Sequence, residues 1–151
     1  MQNRRSFLRR AVAFSGGLLA GLWLPLTAWA AEWQKNAFEA RDSNAVLAAL
    51  GAQTPGPGQQ ILLDVPEIAD QGASVRIRVM SAIPGTDWIG VLVDKNPAPL
   101  AAQFTLSAST EPDIETNVKL SQTSSVRAVV RAGGKYFAVA KEVKVTAGGC
   151  G

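Results

Sequence analysis

Short runs of alternating apolar and polar residues, separated by turn-forming residues, fill the chain from residue 60 onward. The clearest extends from Val75 to Val79, where three apolar side chains alternate with Arg76 and Arg78. Because successive side chains of a strand point to opposite faces, this alternation predicts strands with one buried face. The runs, which predict an all-β fold, lie at residues 61–65, 73–81, 87–93, 101–108, 114–120, 125–131 and 136–145.

The regular spacing of these runs predicts two antiparallel sheets packed as an immunoglobulin-like β-sandwich of about seven strands. Gly133 and Gly134 are all that separates the last two predicted strands, which predicts a tight hairpin. The run at 87–93 is predicted to be a central strand, with Trp88 in the core. The Cys–Trp–Cys core of true immunoglobulin domains is absent, because the sequence has one cysteine.

A short helix is predicted to precede the strands, within residues 32–50. Its apolar positions are Phe38, Val46, Leu47 and Leu50. A helix starting at Ala45 could be capped by any of three polar residues, Asp42, Ser43 or Asn44. Gly51 is a plausible end, since glycine readily adopts the left-handed conformation that closes helices.

Residues 1–30 have the parts of an export signal. Arg4 and Arg5 begin a basic region, an apolar run follows from Ala11 to Trp29, and Ala28-Trp29-Ala30 is a small-x-small cleavage site. The segment around Arg4 and Arg5 resembles the twin-arginine export motif, which predicts a periplasmic protein. An uncleaved membrane anchor is the alternative, but glycines and a proline within the apolar run favour cleavage.

Removal of this signal divides the chain into residues 1–30, a domain at 31–146 and an arm at 147–151. It also changes the charge. Four of the 15 basic residues leave, so 11 remain against 12 acidic residues, a formal charge of −1. The positive charge of the full sequence therefore argues neither for nucleic acid nor for a membrane surface as partner of the mature domain.

The residue types exclude most enzyme classes. The sequence contains no histidine, which removes the commonest general base and metal ligand. One cysteine without histidine cannot form a structural zinc site, and no metal or cofactor is predicted. Two carboxylate pairs, Glu111 with Asp113 and Asp64 with Glu67, are most simply explained as solvated loops. A small enzyme built on loop carboxylates is accordingly the weakest of the possible functions.

Cys150 is the one strong nucleophile of the mature chain. It lies next to the last residue, among Gly148, Gly149 and Gly151, so the tail is predicted to be a flexible arm. Four residues beyond Thr146 reach Cys150, about 13 Å when extended. Nothing adjacent in sequence would activate the thiol, so we expect an ordinary thiol whose chemistry is performed by other proteins. A mobile, unassisted thiol suits a carrier that holds cargo through a sulfur–sulfur bond.

The ending Val145-Thr146-Ala147-Gly148-Gly149-Cys150-Gly151 resembles the C-terminal arm of the SoxY family, sulfur carriers of the periplasmic thiosulfate-oxidising (Sox) system. The twin-arginine signal, the short helix and the strand-rich body extend the resemblance over the whole chain. The usual family ending has one more glycine after the cysteine than this sequence does. That difference leaves the attachment residue in place.

The resemblance implies Cys150 as the covalent attachment site and Gly148, Gly149 and Gly151 as the arm. It implies a heterodimer with SoxZ, a second immunoglobulin-like subunit. Transient partners would be the SoxAX cytochrome, which joins thiosulfate oxidatively to the cysteine as an S-thiosulfonate, the SoxB hydrolase, and in some systems a sulfur dehydrogenase. The carrier itself would not be an enzyme.

One alternative function belongs to another class. The chain could be an exported immunoglobulin-like binding module whose Cys150 only tethers it to a partner by a disulfide. An unpaired cysteine in an exported protein is consistent with both functions, and disulfide-linked dimers through Cys150 are expected in either case.

Overall fold

The computed structural model describes residues 35–146 of the 151-residue chain. Two short helices come first, α1 (Lys35–Glu39) and α2 (Ser43–Ala49). The strands that follow are β1 (Gly56–Pro57), β2 (Ile61–Asp64), β3 (Ile68–Ala69), β4 (Val75–Ser81), β5 (Thr86–Val93), β6 (Leu100–Thr105), β7 (Asp113–Val118), β8 (Ser124–Ala132) and β9 (Lys135–Val145). Within this described part, no helix is both long and apolar enough to cross a bilayer.

The strands form two sheets, as predicted. The large sheet has the order β1-β9-β8-β5-β6, with β3 also paired to β9, and the small sheet has the order β2-β4-β7. The seven longer strands coincide with the seven predicted runs and pair antiparallel, which confirms the predicted sandwich. The two-residue strands β1 and β3 pair parallel with β9. These two were not predicted, because two residues carry no periodic signal.

The main core lies between the two sheets. On β4, Val75, Ile77 and Val79 face inward and are almost fully buried, while the arginines between them face outward. They pack in one apolar cluster with the inward residues of β5 and β8, which are Ile89, Val91, Val93, Val126, Ala128 and Val130. The alternation in the sequence is therefore the alternation between core and solvent.

A second, smaller core lies on the other face of the large sheet, beneath the helices. It contains Val46 and Leu47 of α2 together with Trp88, Leu92 and Val129 of the sheet. Seven of the eight residues of β5 are buried as a result, because both faces of this strand are covered. The predictions that 87–93 is a central strand and that Trp88, 4% exposed, is in the core are both confirmed.

The helical region is divided in two, whereas one short helix starting at Ala45 was predicted. Asp42 is the cap: its Oδ1 accepts a hydrogen bond from the Ala45 N–H at 2.8 Å, and the helix begins at Ser43. The extended backbone of Asp42 separates α2 from α1. Gly51, with φ of +73°, ends α2 as predicted. Its N–H and that of Ala52 bond back to the last turn of the helix.

The hairpin between β8 and β9 is also confirmed. Ala132 pairs with Lys135, so the loop consists of Gly133 and Gly134 alone. Both have positive φ, +55° and +75°, which is the requirement of the two-residue turn that matches the twist of the strands.

The outer face of the small sheet carries ion pairs. Arg78 on β4 donates two hydrogen bonds to Asp113 on β7, from Nε to Oδ1 at 2.9 Å and from Nη2 to Oδ2 at 2.5 Å. Arg76 pairs with Glu115 at 2.6 Å. The hydrogen bonds from Arg78 lower the pKa of the Asp113 carboxyl, since they favour its charged form.

Stability is expected to fall in acid as Asp113 becomes protonated. Because folding lowers the pKa of Asp113, this pair stabilises the protein above the unfolded pKa of about 3.9, and the contribution disappears as the pH falls through the lower folded value. The Asp113→Asn variant should therefore lose less stability than the wild type below about pH 4, measured by urea unfolding. Equal acid loss in Asp113→Asn and the wild type would contradict this assignment.

Candidate functional site

The predicted attachment residue Cys150, the arm glycines Gly148, Gly149 and Gly151, and the export residues Arg4 and Arg5 lie outside the described residues. The structure does describe the point from which the predicted arm departs. This point, the arm root, consists of Lys144, Val145 and Thr146 at the end of β9. The geometry of the arm root decides where a thiol four residues further along could be presented.

The arm root extends beyond the main ladder of the large sheet. Pairing between β9 and β8 ends at Val143, opposite Ser124. Beyond Val143, β9 is instead bonded on its other side to the segment that contains β3, through two backbone hydrogen bonds. The Lys144 N–H donates to the Glu67 carbonyl at 2.9 Å, and the Thr146 N–H donates to the Ala69 carbonyl at 3.1 Å.

A side chain completes the ladder on the β8 side. The Val145 N–H donates to Oγ1 of Thr123 at 3.0 Å, one residue before β8 begins. The hydroxyl thus replaces the backbone carbonyl that a longer β8 would supply. All three N–H groups of the arm root therefore have hydrogen-bond partners.

Close packing beside the arm root explains the glycine at position 72. A Cβ on Gly72 would lie 2.2 Å from the carbonyl oxygen of Leu120 and 3.0 Å from Cγ1 of Val145. The Leu120 N–H also donates to the Gly72 carbonyl at 2.7 Å. Only glycine allows the segment after β3 to approach both the β7–β8 connection and the last strand.

The surroundings of the arm root are polar but hold no concentrated charge. An open groove beside it is lined by two apolar residues, Val65 and Ile68, and by charged residues of both signs, which are Glu67, Lys141, Glu142 and Lys144. Asp70 Oδ1 lies 3.5 Å from the Thr146 hydroxyl. In the part of the chain that the structure describes, no group of His, Cys, Asp and Glu side chains could hold a metal ion.

The carboxylate pairs considered from sequence do not assemble into a site. The Asp113 carboxylate is engaged by Arg78, and Glu111 is an exposed residue before β7 whose backbone carbonyl accepts a hydrogen bond from the Asp113 N–H at 2.9 Å. Asp64 lies on β2 and Glu67 uses its carbonyl to hold Lys144. The residues that sequence reasoning missed are those that fix the arm root, above all Thr123 and the strand β3. No local pattern identifies them, because each acts through a contact with a distant segment.

Replacing Thr123 with valine is expected to loosen the arm root without unfolding the sandwich. The Val145 N–H would lose a hydrogen bond, about 1 kcal/mol, so its amide hydrogen should exchange roughly fivefold faster. Thr123→Ser keeps the oxygen and is the matched control. Amide exchange followed by NMR tests this, and an unchanged rate at Val145 in the valine variant would show that the hydroxyl does not hold the strand.

Comparison with known proteins gives one family. The family described as sulfur oxidation protein SoxY matches residues 46–150. Among solved structures, the sulfur carrier protein SoxY from Chlorobium limicola f thiosulfatophilum is 32% identical, with a TM-score of 0.61 over 68% of this chain and 94% of that chain. No curated protein matches the sequence significantly.

Superoxide reductase (neelaredoxin) from Ignicoccus hospitalis is similar in fold alone. It is 17% identical, with a TM-score of 0.53 over 58% of this chain and 81% of that chain. A variant of the same reductase is 16% identical, with a TM-score of 0.52 over 66% and 87% of the two chains. At this level of identity, the likeness shows a shared sandwich architecture and nothing about chemistry.

Proposed function

The chain belongs to the SoxY family of sulfur oxidation carrier proteins, and from that premise we propose that it holds thiosulfate-derived groups covalently on Cys150. The observation that carries this proposal is the extent of the family match, which runs from residue 46 to residue 150 and so includes the cysteine at its end. In this role the protein performs no catalysis of its own. Partner enzymes act on the cargo while the folded domain presents it.

The chemistry follows from what a thiol can hold. Thiosulfate and the Cys150 thiol join through a new S–S bond with release of a proton and two electrons, which the SoxAX cytochrome accepts. Water then cleaves the terminal S–S bond of the S-thiosulfonate at the SoxB hydrolase, giving sulfate and a persulfide on Cys150. A sulfur dehydrogenase, where present, oxidises the remaining sulfane sulfur.

The geometry of the arm root is consistent with a chain that holds the cargo while partner enzymes perform the catalysis. With all three of its N–H groups bonded, it fixes one end of residues 147–151, so a thiol at position 150 would sweep a radius of about 13 Å around Thr146. An enzyme that processes the cargo must bring its own catalytic groups within that radius. The described residues around the arm root include no histidine, the usual activator of a thiol.

We further propose that the carrier works in the periplasm, after twin-arginine export directed by Arg4 and Arg5 and removal of residues 1–30. Its constant partner would be a SoxZ-like β-sandwich subunit. Because the twin-arginine route accepts folded proteins, a chain without cofactor ligands could use it in order to fold with a signal-less partner first. A domain that stayed monomeric when co-expressed with a SoxZ-like subunit would remove that explanation.

The direct test is to incubate the reduced protein with thiosulfate and a SoxAX cytochrome and to record an intact mass. We expect an increase equal to one thiosulfate group, reversed by a thiol reductant. A protein that forms only disulfide-linked dimers under these conditions would support the tether function instead.

The composition of the arm provides a second test. Replacing Gly148 and Gly149 with valine should leave thermal unfolding nearly unchanged, but it should slow transfer of cargo to partner enzymes. The β-branched side chains restrict the backbone and widen the peptide that must enter an active-site channel. Turnover in a reconstituted system measures the effect. Normal turnover of the double variant would count against delivery by a pliable arm.

A further inference from the structure

The two sheets have four lateral edges, and three of them are protected. The edge at β9 is covered by β1 and β3 and carries Lys141 and Glu142 between them. The edge at β7 carries Asp113 and Glu115, both in ion pairs, and the edge strand β2 is only four residues long. Charged residues, short strands and covering segments are the usual means by which proteins prevent unwanted strand pairing.

In the part of the chain that the structure describes, the fourth edge is less protected. Helix α1 contacts β6, and its Ala37 shares the smaller core with Leu100, but no strand covers this edge. Strand β6, Leu100–Thr105, contains neither a charged residue nor a proline, and it forms one end of the large sheet. Its side chains from Ala101 to Phe104 are half-buried. Phe104 is the one aromatic residue of the strand, and it belongs to neither of the two apolar clusters. An uncharged edge of this kind in a native protein indicates a partner that covers it.

The direction of the backbone groups on β6 follows from one hydrogen bond. The Leu106 N–H donates to the Asp87 carbonyl at 2.8 Å, so this residue faces β5. Backbone groups of a strand alternate in direction, so Phe104 also faces β5, whereas Gln103 and Thr105 turn their N–H and C=O groups to the open edge. The edge therefore offers hydrogen bonds that only another extended strand can satisfy in series.

We propose that β6 is the docking edge for the second β-sandwich subunit of the carrier complex, which adds an uncharged strand to the large sheet. The identity of this partner rests on the proposed function; the choice of edge rests on the charge and backbone pattern. The position suits the role, since β6 and β9 stand at opposite sides of the sheet, three strand spacings or about 14 Å apart. A permanent partner at β6 leaves the arm root open to transient enzymes.

Two matched pairs of variants test the proposal in the full chain, co-expressed with a SoxZ-family subunit of the same organism. Gln103→Pro removes an outward N–H without breaking the β5–β6 ladder, and Thr105→Lys adds the charge that the edge lacks. Asn117→Pro and Asn117→Lys make the same changes on β7, where the backbone groups of Asn117 turn away from β4. Thermal unfolding of each variant alone shows which of them fold.

Both β6 variants should weaken the 1:1 complex at least about tenfold, measured by titration and light scattering, while both β7 variants leave it unchanged. In the wild type, the amide hydrogens of Gln103 and Thr105 should gain protection from exchange on complex formation. A complex that survives both β6 changes, no complex with the wild type, or a homodimer lost in Gln103→Pro would each overturn the proposal. Failure of Cys150 to take up thiosulfate would overturn the carrier function and leave the docking edge intact.

Discussion

Replacing Cys150 with serine is expected to abolish cargo loading completely. The sequence contains no other cysteine, so no second thiol can form the sulfur–sulfur bond. The serine oxygen has nearly the same size but cannot form a stable bond to sulfane sulfur under these conditions. Intact mass after incubation with thiosulfate and a SoxAX cytochrome should show the unmodified chain alone, and the oxidation of thiosulfate by the reconstituted system should stop.

The Cys150→Ser variant also distinguishes the carrier function from the alternative, a binding module that Cys150 only links to a partner by a disulfide. If Cys150 only anchors the domain to a partner, Cys150→Ser should lose a disulfide-linked species on a non-reducing gel and nothing else. Thiosulfate consumption that continued at the wild-type rate in Cys150→Ser would therefore contradict the carrier function. Gly151→Ala serves as the control, since it changes the arm beside the thiol but leaves the sulfur.

Replacing Trp88 with alanine should have the largest effect on stability, a loss of about 4 kcal/mol. The Trp88 ring is 4% exposed and lies over Gly90, where a Cβ would come within 2.3 Å of it. It also meets the Tyr136 ring edge-on, with centroids 6.3 Å apart. Alanine would leave a large cavity between the helices and the sheet, and the free energy of unfolding in urea measures the cost.

Trp88→Phe is the matched control, because it keeps an aromatic ring in the same place and should recover part of the stability. Folded Trp88→Ala protein should still accept thiosulfate on Cys150, because the ring belongs to the helix-covered core and not to the arm root. A stability loss below about 1 kcal/mol would mean that the helices contribute little to the fold.

The strands were predictable because their side chains obey a simple rule. Where one face of a strand meets a core and the other meets water, as from Val75 to Val79, alternation in sequence reports the structure directly. Gly133 and Gly134 were equally informative, since a two-residue hairpin loop requires positive φ at both positions. Gly51 marked the end of α2 for a similarly local reason, whereas the sequence left the cap open among Asp42, Ser43 and Asn44.

The features that surround the arm were not predictable, because they depend on segments far apart in sequence. Ile68 and Ala69 are too few to form a periodic pattern that predicts a strand. They form β3 because they pair with Lys144 and Val145 of β9. Thr123 gains its role from Val145, which lies 22 residues away. Cys150 itself was identified because it is the single cysteine of the sequence and because the last seven residues resemble the C-terminal arm of the SoxY family. Its site assignment remains a prediction, since it lies beyond residues 35–146.

The way in which β9 is bonded has a mechanical consequence. The bonds of its nine-pair ladder with β8 run across the axis of the strand. If the proposed arm were drawn along that axis by an enzyme, the pull would act on β9 lengthwise. Tension in this direction stretches the whole ladder in shear, so no single bond can give way before the others. A force from the side would instead peel the strand off one bond at a time. The ladder would therefore resist tension along β9 better than tension across it.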